Sequence, residues 1–136
     1  MKLTLDIITP QSKVYSGEAD EVIVPTVTGE IGILPNHISL FTQILPGELR
    51  VKNGGKTDFF AIMGGYLEVT NNQVSVLGDY AIRAEDIEVA KAEQAKIRAE
   101  KARQEKVSLE DLATIEADLR RSLLELKVAT RRRRSS

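Results

Sequence analysis

All nine glycines of this 136-residue chain lie at or before Gly78, all four prolines at or before Pro46, and all six aromatics at or before Tyr80. Beyond that point the chain is rich in Ala, Glu, Lys, Arg and Leu. Glycine and proline punctuate turns and break helices, whereas the second set are the strongest helix formers. The sequence therefore predicts two parts with different physics. The first covers residues 1–84 and the second residues 85–136.

The first part reads as short strands. Leu3, Leu5 and Ile7 alternate with polar residues up to Thr9-Pro10, and Glu21 to Val24 stops at Pro25. Ile31 to Leu34 is bounded by Gly29 and Pro35, Ile38 to Leu45 by Pro46-Gly47, and Leu49 to Val51 by Asn53-Gly54-Gly55. Phe59 to Met63 runs into Gly64-Gly65, and Tyr66 to Val69 is separated from Val74 to Val76 by Asn71-Asn72. Turn signals roughly every 8–12 residues predict an antiparallel β-sandwich or barrel.

The second part reads as an antiparallel two-helix hairpin. Asp86 is the expected N-cap of a helix reaching Lys106, with Ala92, Ala95, Ala99 and Ala102 on one face. Ser108-Leu109-Glu110-Asp111 resembles a capping box, with Asp in place of the usual Glu or Gln. The next helix carries Leu112, Ile115, Leu119, Leu123 and Leu126 as its apolar stripe. Small side chains opposite large ones predict a close but shallow seam.

Composition excludes some functions. The chain has no cysteine, which fits a reducing cytoplasm and rules out thiolate metal sites and disulfides. Asp6 interrupts any signal-peptide core, and no apolar run approaches the ~20 residues that span a bilayer, so a soluble chain is expected. His37 is the only histidine, with no Gly-x-Ser-x-Gly elbow and no phosphate-binding loop. No catalytic or metal-ligating residues are expected, and His37 reads as a structural or interface side chain. Residues 1–84 hold six basic and nine acidic side chains, residues 85–136 thirteen and eleven. Arg120 to Ser136 carries seven basic residues against Glu125 alone. Arg131-Arg132-Arg133-Arg134 reads as a solvated tail or as a contact for an acidic protein surface. The lack of aromatics beyond Tyr80 weighs against nucleic acid.

Local sequence adds a resemblance. Gly29-Glu30-Ile31-Gly32-Ile33-Leu34-Pro35-Asn36-His37, then Met63-Gly64-Gly65-Tyr66-Leu67-Glu68-Val69, then Arg83-Ala84-Glu85-Asp86-Ile87, occur in the order and spacing of the epsilon subunits of bacterial F-type ATP synthases. The chain resembles that family over essentially its whole length, with Asn36 for the usual Gly and Ile38-Ser39 for the common Ala-Pro. The resemblance implies a non-catalytic rotor subunit that couples proton flow to ATP synthesis at the cytoplasmic face of the plasma membrane. It places Glu30, Ile31, Gly32, Pro35 and His37 at the contact with the gamma subunit and the c-ring. It also implies that the hairpin either folds on the sandwich or extends along gamma toward the alpha and beta subunits, slowing ATP hydrolysis. Arg120, Arg121, Lys127, Arg131 and Arg132 would then meet beta. Two helices of about 22–25 residues at 1.5 Å per residue reach roughly 70 Å end to end. Some members bind ATP as a regulatory ligand through an Ile-Asp-x-x-Arg-Ala segment and later arginines. The matching positions here are Ile87, Glu88, Lys91, Ala92, Arg98 and Arg121. Glu88 and Lys91 depart from the pattern, and Glu125 stands where those members have another arginine.

Two rival readings remain beside this one: a free-standing adaptor whose hairpin binds other helices, and a small hydrolase built on His37.

Overall fold

The structure is a computed structural model that describes the backbone of residues 1–135 and the side chains of residues 1–131. The chain divides into two compact units, one of Met1–Arg83 and one beginning at Ala84.

The first unit is built from eight strands: β1 Leu3–Ile8, β2 Lys13–Ala19, β3 Glu21–Thr26, β4 Gly29–Ile33, β5 Leu40–Asn53, β6 Lys56–Thr70, β7 Gln73–Gly78 and β8 Ala81–Arg83. They follow the order β2-β1-β7-β6-β5-β3-β4, with β8 paired to β6. Every pairing is antiparallel except β1 with β7, which is parallel. Leu3, Leu5 and Ile7 point inward in the predicted alternation and join Val22, Val24, Ile33, Leu49, Val51, Phe60, Leu67, Val69, Val74 and Val76 in one core. The wrapped sheet encloses that core as a β-sandwich.

Two expected strand ends are bends instead. β5 passes straight through Pro46-Gly47, and β6 through Gly64-Gly65, in a register unchanged from Leu40↔Val69 to Asn53↔Lys56. Gly64 and Gly65 take φ of 107° and 130°. Glycine reaches these angles without steric cost, so the long ribbon can curve and serve both layers of the sandwich. The hairpin tips behave as the sequence predicts. Gly54-Gly55 and Asn71-Asn72 each have positive φ at both central positions, as two-residue loops between twisted strands require.

The second unit begins with a 3-10 turn, Ala84–Asp86, followed by α1 Val89–Arg103 and α2 Leu109–Ser135. Asp86 is therefore not the N-cap. The 3-10 turn closes through Ile87 N–H to the Ala84 carbonyl, and Glu88 is extended at the helix entrance with no side-chain cap. At the second helix the expected cap forms: the Asp111 N–H donates to Ser108 Oγ at 3.2 Å. Ala92 and Ala99 are buried on α1, and Ala95 and Ala102 are half-buried on the same face. A buried or half-buried stripe on α2 runs through Leu112, Ile115, Leu119, Ser122, Leu126 and Ala129, spaced alternately three and four, and Val128, outside that spacing, is fully buried as well. Leu123, expected in this stripe, is 45% exposed. The regular spacing carries the seam from Leu119 to Ser122, one residue before it, and Leu123 lies about 100° further round the helix.

Candidate docking surface

The segment Gly29–His37 forms strand β4 and a tight turn. The His37 N–H donates to the Leu34 carbonyl, closing a four-residue turn with Pro35 second and Asn36 third. Asn36 has φ 67°. Proline at the second position and a left-handed residue at the third define a type II turn, and asparagine tolerates that conformation better than most side chains. Glu30 is exposed and held by Arg50, Nη2 to Oε1 at 2.7 Å. Ile31 is half-buried against the core, and Gly32 is exposed beside Glu21, whose carboxylate lies 2.9 Å from where a Cβ would stand. Pro35 and His37 are partly exposed, and His37 Nδ1 lies 2.7 Å from the Ile38 carbonyl oxygen. Leu34 and Ile38 flank the turn as large exposed apolar side chains.

An exposed apolar group on β5, β6 and β7 was not among the residues that the sequence singled out. Phe41, Tyr66 and Leu77 are 64%, 50% and 49% exposed. The rings of Phe41 and Tyr66 stack, with centroids 5.6 Å apart and planes at 15°. Tyr66 faces Leu77 directly across the β6/β7 ladder. Phe41 begins three residues after the turn just described. Two stacked aromatics and a leucine on one sheet face form a contiguous surface of the kind that marks protein interaction sites. Its signal in the sequence was strand parity: each of the three sits on the phase opposite to its core-facing neighbours Ile44, Leu67 and Val76.

On the second unit, α1 and α2 form an open cleft of about 210 Å³ lined by Ala95, Arg98, Ala99, Ala102, Ile115, Asp118 and Arg121. Of the residues expected at a nucleotide site, the structure brings Arg98 and Arg121 together here. Ile87 and Ala92 are buried elsewhere in the unit, and Glu88 and Lys91 pair with one another at 3.1 Å. Two guanidinium groups favour an anion, but Asp118 supplies a carboxylate to the same cleft. Arg121 Nε also lies 3.7 Å from Glu125 Oε1.

Arg120, Arg121, Lys127 and Arg131 are exposed on α2. Arg120, Lys127 and Arg131 recur at intervals of seven and four and so share a face. Arg132, also expected there, and the rest of the four-arginine run have side chains outside the described residues. Among the described residues no group of three or more His, Cys, Asp or Glu side chains is placed to hold a metal ion. No described helix is long and apolar enough to cross a membrane.

The chain combines a β-sandwich that carries an exposed apolar face with a helical hairpin that carries a cationic one. Comparison with known proteins identifies its family. Residues 2–84 match the family described as ATP synthase, Delta/Epsilon chain, beta-sandwich domain. The ATP synthase epsilon chain of Herpetosiphon aurantiacus is 44% identical over 133 residues, covering 98% of both chains. That of Dehalococcoides mccartyi is 45% identical over 134 residues, covering 98% of this chain and 96% of the relative. The chain belongs to the ATP synthase epsilon chain family, a subunit of the complex that is not one of its catalytic chains. The same fold occurs in the cryo-EM structure of the Euglena gracilis mitochondrial ATP synthase, OSCP/F1/c-ring (TM-score 0.65, 23% identity, 98% of this chain and 81% of that one). It occurs again in the Tetrahymena thermophila mitochondrial ATP synthase central stalk/c-ring (TM-score 0.62, 15% identity, 95% and 97%).

Proposed function

We propose that the first unit anchors the chain to the gamma subunit and the c-ring, and that the second is a mobile brake on ATP hydrolysis. The chain then works as a peripheral subunit at the cytoplasmic face of the plasma membrane, turning with the central stalk. The observation that carries this reading is the Phe41–Tyr66–Leu77 surface beside the Leu34–Ile38 turn. A stacked cross-strand aromatic pair stabilises an exposed sheet by only about 0.2–1 kcal/mol, whereas desolvating it in an interface adds about 25 cal/mol per Å² of apolar area. The family resemblance assigns Glu30, Ile31, Gly32, Pro35 and His37 to the same contact.

The brake reading rests on the hairpin. Its seam joins small side chains to a single apolar stripe, and the hydroxyl buried in that stripe is satisfied within its own helix: Ser122 Oγ donates to the Asp118 carbonyl at 3.0 Å. Separating the helices therefore breaks no hydrogen bond at Ser122, which lowers the cost of opening. The helices span 15 and 27 residues. Fully extended they reach roughly 60 Å at 1.5 Å per residue, shorter than the sequence suggested because α1 starts later and ends earlier. Arg120, Arg121, Lys127 and Arg131 would then meet an acidic surface on beta or alpha.

Reconstitution tests both halves. Adding the chain to an alpha/beta/gamma complex should lower ATPase activity, and removing residues 107–136 should relieve inhibition with binding kept. Inhibition that survives the truncation, or a chain that ignores the complex, would refute the reading.

A regulatory ATP site is the second reading, favoured by the convergence of Arg98 and Arg121 in the hairpin cleft. Isothermal titration with ATP decides it. Heat that disappears in Arg98→Ala supports the site, and no heat at millimolar ATP removes it.

A further inference from the structure

Among the described residues, three other than glycine have positive φ, and all are asparagines: Asn36 at 67°, Asn71 at 49° and Asn72 at 63°. Two of them are joined. The backbone N–H of Asn36 donates to Asn72 Oδ1 at 2.6 Å, although the residues are 36 positions apart. Asn72 makes two further contacts. Its carbonyl accepts from the Thr4 N–H at 2.8 Å, and its Nδ2 lies 3.1 Å from the Met1 sulfur. The tip of the β6/β7 hairpin thus touches the start of β1 and the proline-bounded turn at once.

We propose that Asn72 is the positioning residue for the docking turn, holding Leu34–Ile38 in register with the Phe41–Tyr66–Leu77 surface. The proposal rests on the docking reading above and adds a determinant of affinity outside the contact residues. The turn carries its own closing bond, His37 N–H to the Leu34 carbonyl, but that bond fixes its shape and not its direction. Direction needs a tether to the rest of the sheet. The Asn36 amide points out of the turn toward Asn72, and the type I′ loop that bears Asn72 is anchored by the Thr70↔Gln73 pair. A side-chain acceptor on a rigid hairpin tip therefore supplies the tether. Asparagine suits both requirements of this position: it accepts a left-handed backbone, and its amide oxygen takes a main-chain N–H.

The test separates the backbone requirement from the acceptor. Asn72→Gly keeps positive φ and removes the tether. Asn72→Asp keeps both the conformation and an oxygen for the Asn36 N–H. Amide exchange of Asn36 in the free chain, and affinity of the full chain for an alpha/beta/gamma/c-ring complex lacking this subunit, are read for each. N72G should lose protection at Asn36 and bind roughly three- to tenfold more weakly, the range expected for one hydrogen bond. N72D should restore both to within about twofold. Unchanged protection at Asn36 in N72G overturns the proposal, as does a failure of N72D to rescue. Loss of protection without loss of affinity confines Asn72 to the free fold and also overturns it. His37→Ala and Ile38→Ser, measured in parallel, identify the other failure: if neither weakens binding, the turn is not part of the docking surface.

Discussion

Gly65 takes φ 130°, and a Cβ built there would stand 2.0 Å from the Leu77 carbonyl oxygen and 2.8 Å from Gly78 Cα. Both obstacles are backbone, so neither can swing aside. Gly65→Ala should therefore destabilise the first unit by about 2 kcal/mol or more, through strain at one residue and displacement of β7. Urea unfolding followed by far-ultraviolet circular dichroism measures this, and Gly55→Ala is the comparison. Gly55 also has positive φ, at 83°, but no atom lies within 4 Å of its Cβ position. It should cost only the conformational part, about 1 kcal/mol. At the opposite end of the sheet, Asp20 Oδ2 accepts the Gly54 N–H at 2.8 Å, with Lys2 Nζ 3.4 Å from Oδ1. The Gly54 hydrogen bond comes first in holding the Asp20 carboxyl below its ordinary value of 3.8; partial desolvation opposes it, and the hydrogen bond and then the charge of Lys2 reinforce it. A lowered folded-state value stabilises above the unfolded value, and that contribution is lost as pH falls through the folded one. Asp20→Asn should thus flatten the fall in Tm below about pH 4 and leave the curve's shape near neutrality unchanged. A parallel acid limb in the two proteins would show that the carboxylate gains nothing from these partners.

At the scale of elements, the α1/α2 seam gives the sharpest contrast. Leu119 is 7% exposed and lies in the alternating three-and-four stripe, whereas Leu123 is 45% exposed and outside it. Leu119→Ala should lower the stability of the hairpin by about 2–3 kcal/mol, and Leu123→Ala by less than about 1. Amide exchange along α2 reports both, and equal effects would put the seam elsewhere. The sequence alone places Leu123 in the stripe, as an apolar residue four positions after Leu119. It could not show that Ser122 hides its hydroxyl on the Asp118 carbonyl and so passes as a small buried side chain. The same kind of ambiguity governs the strands. Asn71-Asn72 and Gly54-Gly55 announced their hairpins, because a two-residue loop accepts few other residues. Pro46-Gly47 and Gly64-Gly65 were read as ends, since the residues that stop a strand also bend one. The β1/β7 pairing joins segments more than sixty positions apart, and no local signal encodes it. The turn at Pro35-Asn36 is legible from its residues, while the exposed apolar surface is not. Phe41, Tyr66 and Leu77 come from three strands, and only the ladder brings them together.

For the whole molecule, the two units present different chemistry to their partners. Residues 1–84 carry a net charge of −3 and an apolar face, while one exposed side of α2 displays Arg120, Lys127 and Arg131. Apolar burial is insensitive to moderate salt, whereas attraction between exposed charges decays over a Debye length of about 8 Å at physiological ionic strength and about 3 Å at 1 M. Docking and braking should therefore separate on a salt axis. Raising the salt concentration from about 0.05 to 0.5 M should leave the affinity for the complex within a few-fold while inhibition of ATP hydrolysis declines. Replacing Arg120, Lys127 and Arg131 together by glutamate should reproduce the high-salt state at low salt, with weak inhibition and retained binding. The substitution adds nothing to the buried seam, because all three side chains are exposed. If inhibition is instead unchanged by salt and by charge reversal, the hairpin acts through its bulk or its apolar stripe. A parallel fall of affinity and inhibition would place the cationic face in the docking contact itself. Only the divergent result fits a subunit held by its β-sandwich and braking through its helices.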